Sequence, residues 1–283
     1  MASIFSKANT AVITGGASGI GFALAQKCVS CGMRVLVADW DVKNLDTAKQ
    51  SLGEGTSTIR MDVSKLEDWS DLKSKVTEEF GGRINLLALN AGVGARTSFD
   101  GPDADPAIFR KVIDTNFFGV VNGISALLPL IKERSSSPDY RAAIVITGSK
   151  QGITNPPGNP AYNASKAAVK SVAEQLSFDL RTVKNVTVTL LVPGWTWTPL
   201  AGATSGREKP DSAWTPAQVV DYLAEKVKVG QFWALCPDND VTEETDKKRM
   251  LWSVDDAVKG RAPLSRWRDE FKDEFDTWMA KDL

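Results

Sequence analysis

The chain of 283 residues contains no histidine. That removes the side chain most often used as a general base near neutral pH, and also the most common zinc ligand. Acid–base chemistry therefore falls to tyrosine, lysine, aspartate, glutamate, serine or water, and no metal site is expected. Cysteine is scarce as well. Cys28, Cys31 and Cys236 are too few for a disulfide framework. Cys28 and Cys31 form a C-x-x-C pair, but no second pair accompanies them, so they read as packing at the end of an apolar helix. No run of about 18 or more apolar residues occurs, so no membrane span is expected. The first ten residues lack an apolar stretch behind a basic cluster, so no secretory signal is expected. These absences predict a reducing, cytoplasmic setting. Neither charge sign is in excess: 34 basic residues face 35 acidic ones, a net charge of −1. That gives no case for nucleic acid or an anionic membrane as a partner. Lys247, Lys248 and Arg249 stand beside acidic residues and read as solvated surface.

What is present is an alternation. Short β-branched, nearly continuous apolar runs occur at 10–14, 34–39, 57–61, 84–89, 142–147, 186–192 and 232–236. Such runs suit strands covered on both faces. Helix-like stretches lie between them at 20–31, 45–52, 65–80, 107–134, 161–183 and 216–229. The repeated β-α order predicts an α/β fold, a Rossmann-like doubly wound parallel sheet of about seven strands with helices on both faces. Residues 1–237 would form the cofactor-binding and catalytic domain. Residues 238–283 would form a helical C-terminal extension packed on that domain or on a neighbouring subunit. In it Trp267, Phe271, Phe275 and Trp278 recur at helical spacing, which predicts one buried face. The irregular stretch 194–215, rich in Gly, Pro, Ser and Thr, reads as a lid over the site.

The first strand runs into Thr14-Gly15-Gly16-Ala17-Ser18-Gly19-Ile20-Gly21 and then a helix. Glycines there permit a sharp turn and close approach of a pyrophosphate, and the helix N-terminus offers free N–H groups and a positive dipole end. The second strand ends at Asp39, eighteen residues after Gly21. An acidic side chain at this place accepts hydrogen bonds from the ribose 2′-hydroxyl and repels a 2′-phosphate. Ser18 and Trp40 are not basic, so NAD is expected rather than NADP. Asp41 is the better candidate for a helix cap.

This glycine pattern resembles that of the short-chain dehydrogenase/reductase family, in its shorter single-domain branch. The likeness continues in chain order through Asp62-Val63, Asn90-Ala91-Gly92, Asn116, Ser149, Tyr162-Asn163-Ala164-Ser165-Lys166, Pro193-Gly194 and Thr198, covering residues from about 8 to 237. The resemblance implies that Asp62 and Val63 contact the adenine, and that Asn90, Ala91 and Gly92 steady the sheet and line the cofactor. It implies that Pro193 and Gly194 turn beside the nicotinamide and that Thr198 touches the carboxamide or pyrophosphate. Thr196 stands where the family often has an aliphatic residue, and it is flanked by Trp195 and Trp197. Family resemblance also implies a homodimer or homotetramer.

Tyr162 and Lys166 are four apart on a predicted helix and share one face. A free tyrosine has a pKa of about 10, and lowering it by roughly 3 units requires about 4 kcal/mol of differential stabilisation, to which a nearby ammonium contributes. The expected mechanism has Tyr162 as acid/base, with Ser149 holding the substrate oxygen. By the resemblance, Lys166 also binds the nicotinamide ribose and Asn116 holds a water linking Lys166 to solvent. The expected walls of the substrate pocket are Gln151, residues 153–157, Trp195, Trp197 and Trp214. They suit a hydrophobic, ring-bearing secondary alcohol or ketone. Two other readings remain open on the residues alone: a lyase or isomerase on the same fold, and a non-catalytic NAD-binding regulator. Neither class needs Ser149, Tyr162 and Lys166 kept together behind an intact glycine loop.

Overall fold

The computed structural model describes residues 3–203, 206–238 and 241–281. Residues 204 and 205 of the expected lid, and 239, 240, 282 and 283 of the extension, lie outside the described residues. Seven strands form one parallel sheet: β1 (Thr10–Thr14), β2 (Arg34–Asp39), β3 (Thr56–Arg60), β4 (Leu86–Leu89), β5 (Ala142–Thr147), β6 (Val186–Val192) and β7 (Trp233–Leu235). Their order is β3-β2-β1-β4-β5-β6-β7. The order reverses between β1 and β4, which opens a crevice at the carboxyl ends of those strands, where doubly wound folds bind ligands. The predicted limits of β1, β2, β5 and β6 hold, and the ends of β3, β4 and β7 shift by one or two residues.

Alternate residues of every strand except β3 feed two separate cores. Val12, Leu36, Leu87, Ile144 and Leu190 join Trp69 and Leu72 of α3 (Leu66–Phe80), Leu127 of α5 (Gly119–Arg134) and Val169 of α7 (Pro160–Asp179). Ile13, Val35, Val37, Leu86 and Val145 join Leu24 of α1 (Gly19–Ser30), Leu45 of α2 (Val42–Leu52) and Leu223 of α8 (Pro216–Lys228) on the other face. Both faces are therefore dry, which is why the strands read as unbroken apolar runs.

Helix starts follow local capping chemistry. The Asp41 carboxylate accepts from Asn44 N at 3.0 Å and caps α2. Thr215 and Gln218 form a reciprocal capping box at α8. The predicted helix at 107–134 is continuous in space but not uniform. α4 (Pro106–Ile113) passes through a π-turn at Asp114–Phe118 into α5. By length and composition this continuous helix is apolar enough to cross a membrane. Here Val120, Leu127 and Ile131 are its buried contribution to the first core.

The C-terminal extension differs from a single aromatic-faced helix. It consists of α9 (Glu243–Lys259), two 3₁₀ turns (Ser265–Trp267 and Asp269–Phe271) and α10 (Lys272–Met279). Gly260 ends α9 in a left-handed conformation, and Arg268 is extended (φ −108°, ψ 132°), which separates Trp267 from the helical run that follows. Trp267 is consequently 42% exposed. Phe275 and Trp278 do pack, with ring centroids 5.2 and 6.1 Å from Trp252. The buried Trp252 Nε1 donates to Ser265 Oγ at 2.7 Å, and the Arg261 guanidinium lies 3.6 Å above its ring. The basic cluster at 247–249 is not uniformly solvated. Lys248 is buried and donates to the Met279 carbonyl at 3.1 Å, tying α9 to α10. Cys28 and Cys236 are buried free thiols, consistent with packing. Burial is the main cause that pushes the Cys236 thiol up to about 12.

Candidate active site

The crevice at the strand ends is a cavity of about 840 Å³. Its wall takes in every expected catalytic and cofactor-binding residue except Gly21 and Asn116: Gly15, Ser18, Gly19, Ile20, Asp39, Asp62, Val63, Asn90, Ala91, Gly92, Ser149, Tyr162, Lys166, Pro193, Gly194, Thr196 and Thr198. Gly21 lies beneath the loop. A Cβ there would stand 2.2 Å from the Gly15 carbonyl oxygen, so only glycine lets the helix start so close to the turn. Gly15 is itself left-handed, and a Cβ on it would meet Ala91 Cα at 2.8 Å. The loop thus presents bare backbone at the start of α1, which fits the pyrophosphate of a dinucleotide.

Asn90 ties this loop to the sheet. Its Nδ2 donates to the Thr14 and Gly15 carbonyls, and its Oδ1 accepts from Thr147 Oγ1. One amide therefore joins the ends of β1, β4 and β5. Thr198 reaches over the same loop: a Cβ on Gly19 would lie 3.1 Å from its Cγ2.

Asp39 is buried. Its two carboxylate oxygens accept from Ala17 N at 3.1 Å and Asp41 N at 3.2 Å. The acid is thereby pinned at the rim of the glycine loop. Arg60 is a cation that inspection of the sequence neighbours missed. It pairs in register with Asp39 across β2 and β3 and lines the same cavity. The signal was there: the last residue of a neighbouring parallel strand ends at the same edge of the sheet.

At the other end of the cavity the Tyr162 phenol and Ser149 share the wall with Lys166. Burial pushes this phenol up from its ordinary value, and the Ser149 hydroxyl offsets part of the rise. The expected lowering by Lys166 is not the dominant effect. The Lys166 ammonium lies 5.7 Å from the Tyr162 ring centroid and donates instead to the Thr147 carbonyl at 2.8 Å. Burial pushes Lys166 down to about 8.

Asn116 is fully buried in the π-turn between α4 and α5. Its Oδ1 accepts from Val93 N at 2.8 Å, and its Nδ2 donates to the Val93 carbonyl and Ser165 Oγ. Both amide N–H groups are thereby used, while Oδ1 keeps a second acceptor position. π-Turns inside helices recur at functional sites.

The expected substrate walls are partly corrected. Gln151 and Trp195 line the cavity, joined by Val93, Asn159, Leu200 and Ala201. Residues 153–157, Trp197 and Trp214 do not. Asn163 Nδ2 donates to Asn155 Oδ1 and the Pro156 carbonyl, drawing that segment onto α7. Trp214 stacks edge-on against Tyr222 of α8 at 6.2 Å. The loop expected as a lid is stitched to itself: Trp197 N donates to the Trp214 carbonyl and Trp214 N to the Trp195 carbonyl.

Comparison with known proteins agrees with this geometry. The sequence pattern of the short chain dehydrogenase family matches residues 9–209. An NADP-dependent (R)-specific alcohol dehydrogenase of Lentilactobacillus kefiri is 31% identical over 207 residues, covering 72% of this chain and 79% of that one. A 3alpha-hydroxysteroid dehydrogenase of Mediterraneibacter gnavus is 31% identical over 202 residues, covering 70% and 77%. A crystal structure of a short chain dehydrogenase/reductase from Burkholderia phymatum in complex with NAD superimposes with a TM-score of 0.80 at 27% identity, covering 93% of this chain and 98% of that one.

Proposed function

Since the chain belongs to the short-chain dehydrogenase/reductase family, and is an oxidoreductase acting on CH–OH groups with a nicotinamide cofactor, we propose that it is an NAD-dependent dehydrogenase of hydrophobic, ring-bearing secondary alcohols and reductase of the matching ketones. The observation that carries this reading is that Ser149, Tyr162 and Lys166 line one cavity together with the glycine loop.

When bound, the nicotinamide supplies the hydride acceptor, or the donor in reduction. The chain's own residues handle the oxygen and its proton. Ser149 Oγ and the Tyr162 hydroxyl hold the substrate oxygen between them. Tyr162 removes the hydroxyl proton during oxidation and returns it during reduction. Burial opposes the phenolate, so the charge of Lys166 and the Ser149 hydroxyl must stabilise it. Lys166 is fixed by the Thr147 carbonyl, and by the family resemblance it would bind the nicotinamide ribose. By the family resemblance, Asn116 would hold a water that links Lys166 to solvent.

NAD is favoured over NADP because Asp39 is locked by two backbone donors and cannot swing away from a 2′-phosphate. Arg60 stands beside it and is the group that would favour the other choice. For the substrate, Val93, Leu200 and Trp195 supply apolar surface. Asn159 adds one polar feature. Its Oδ1 accepts from Thr97 Oγ1 at 3.0 Å, so its amide N–H groups are left for an oxygen on the substrate. A homodimer or homotetramer is consistent with the exposed Phe118 and Phe178.

The test is NADH formation from a panel of hydrophobic secondary alcohols with NAD⁺ and with NADP⁺, alongside Tyr162→Phe. NAD⁺-dependent turnover that falls by about 10²–10⁴-fold in the variant is expected, since that is the usual worth of a positioned acid/base. NADH binding without turnover of any alcohol or ketone would overturn the reading.

A further inference from the structure

The residue after Ser149 is a lysine whose side chain is almost entirely buried. Lys150 Nζ lies 2.6 Å from Asp238 Oδ1 and 2.8 Å from Asp246 Oδ2. The Asp246 side chain is 1% exposed and sits on α9, in the C-terminal extension. Arg249 Nη1 approaches it at 3.7 Å and brings the second positive charge of the cluster. Asp238 follows β7 and presses on the Pro193-Gly194 turn: a Cβ at Gly194 would fall 1.8 Å from its Oδ2. The backbone of Lys150 donates to the Pro193 carbonyl at 3.1 Å. Both carboxylates lie beyond residue 209, where the family's sequence pattern ends.

One ammonium thus joins three segments that meet at the reacting end of the cavity: the turn carrying Ser149, the Pro193-Gly194 turn and the extension. Two carboxylates occupy it, so it does not serve as an anchor for an anionic substrate, although it lines the cavity. A buried charge in this position requires its partners, because an unpaired ion in a low-dielectric interior is strongly disfavoured. The requirement fixes geometry, since the ammonium has to stay where both carboxylates reach it. Ser149 is the adjacent residue, and its hydroxyl accepts from Gln151 N at 3.1 Å within the same turn.

We propose that Lys150, Asp238 and Asp246 form a positioning brace through which the C-terminal helix α9 sets the Ser149 hydroxyl against Tyr162 and holds the Pro193-Gly194 turn in place. This rests on the dehydrogenase reading of the site. It gives the extension a role in turnover beyond packing. The three residues act through Ser149 and the turn and touch no reacting atom themselves.

The experiment compares Asp246→Asn, Asp246→Glu, Lys150→Met and the Lys150→Met/Asp246→Asn double variant with the full-length parent. It measures kcat, KM for NAD⁺, thermal midpoint and amide hydrogen exchange of residues 148–154. In folded Asp246→Asn, kcat should fall about tenfold or more with KM for NAD⁺ within about threefold, because small displacements of a positioned group act mainly on the chemical step. Exchange in 148–154 should quicken by about tenfold or more, reflecting easier local opening. Asp246→Glu should recover part of kcat, and the double variant should be no slower than Lys150→Met alone, as for residues acting as one unit. Unchanged kcat and unchanged exchange in folded Asp246→Asn would overturn the brace. So would independent, multiplicative losses in the double variant. Should Asp246→Asn fail to fold, Asp238→Asn tests the other arm by the same readouts. If the parent turns over no alcohol or ketone, the dehydrogenase reading fails, while the exchange measurement still decides the brace.

Discussion

Replacing Lys166 by methionine should stabilise the protein near neutral pH while removing its activity. Burial pushes the Lys166 amine from its ordinary 10.5 to about 8. That drop corresponds to about 3 kcal/mol against the charged form. Below about pH 8 the amine is charged in both the folded and unfolded states, so the whole cost weighs on folding. Between about 8 and 10.5 the folded amine is neutral while the unfolded one still holds its proton, and the cost fades as pH rises. Methionine keeps most of the stem and removes the charge. It also leaves the buried Thr147 carbonyl without the donor at 2.8 Å, a loss of about 1–2 kcal/mol. The net gain at pH 7 is about 1–2 kcal/mol, which raises the thermal midpoint by about 2–6 °C for a chain of this size. Near pH 10.5 the order should reverse, because the parent's amine is then neutral and still bonded to Thr147. Calorimetry of both proteins from pH 7 to 10.5 tests this, with turnover measured in parallel. A variant less stable than its parent at pH 7, or a difference that does not change with pH, would refute the argument.

Gly21→Ala should abolish cofactor binding with the fold retained, because the new methyl would stand 2.2 Å from the Gly15 carbonyl and force the loop apart; NADH titration by fluorescence checks it. Asp39→Ser should lower the preference for NAD⁺ over NADP⁺ by about tenfold or more, since it removes one charge from the ribose rim; adding Arg60→Ala should abolish the NADP⁺ activity gained, and kcat/KM for both cofactors measures the two steps. Ser149→Ala should move the ascending limb of the pH–rate profile for alcohol oxidation to higher pH, as it removes the hydroxyl that offsets part of the burial-driven rise at Tyr162.

Much of the fold could be read in advance for a physical reason. Strands covered on both faces are written as unbroken apolar runs, and helices that cover them as one-sided patterns. β1, β2, β5 and β6 therefore emerged with their observed limits. The glycine loop, Asp39 and the Ser149, Tyr162 and Lys166 set were equally legible, because each occupies the end of a strand or the start of a helix. The misses share one cause. The register of β2 against β3 that brings Arg60 beside Asp39 is set by pairing between strands, which no local pattern encodes. The helical spacing of Trp267, Phe271, Phe275 and Trp278 ignored the extended backbone of Arg268 that breaks the run.

The sequence by itself determined the layer order, the crossover topology and the residues of the candidate acid/base set, since periodicity and turn chemistry are local properties. Only the tertiary structure decided where the charges of those side chains go. Lys166 bonds the Thr147 carbonyl and leaves Tyr162 dominated by burial. Lys150, anonymous in the chain, becomes the meeting point of Asp238 and Asp246. Those partners are 88 and 96 residues away in sequence (238 − 150 and 246 − 150). Long-range ion pairing follows from packing, and packing is settled only when the whole sheet and its extension are assembled.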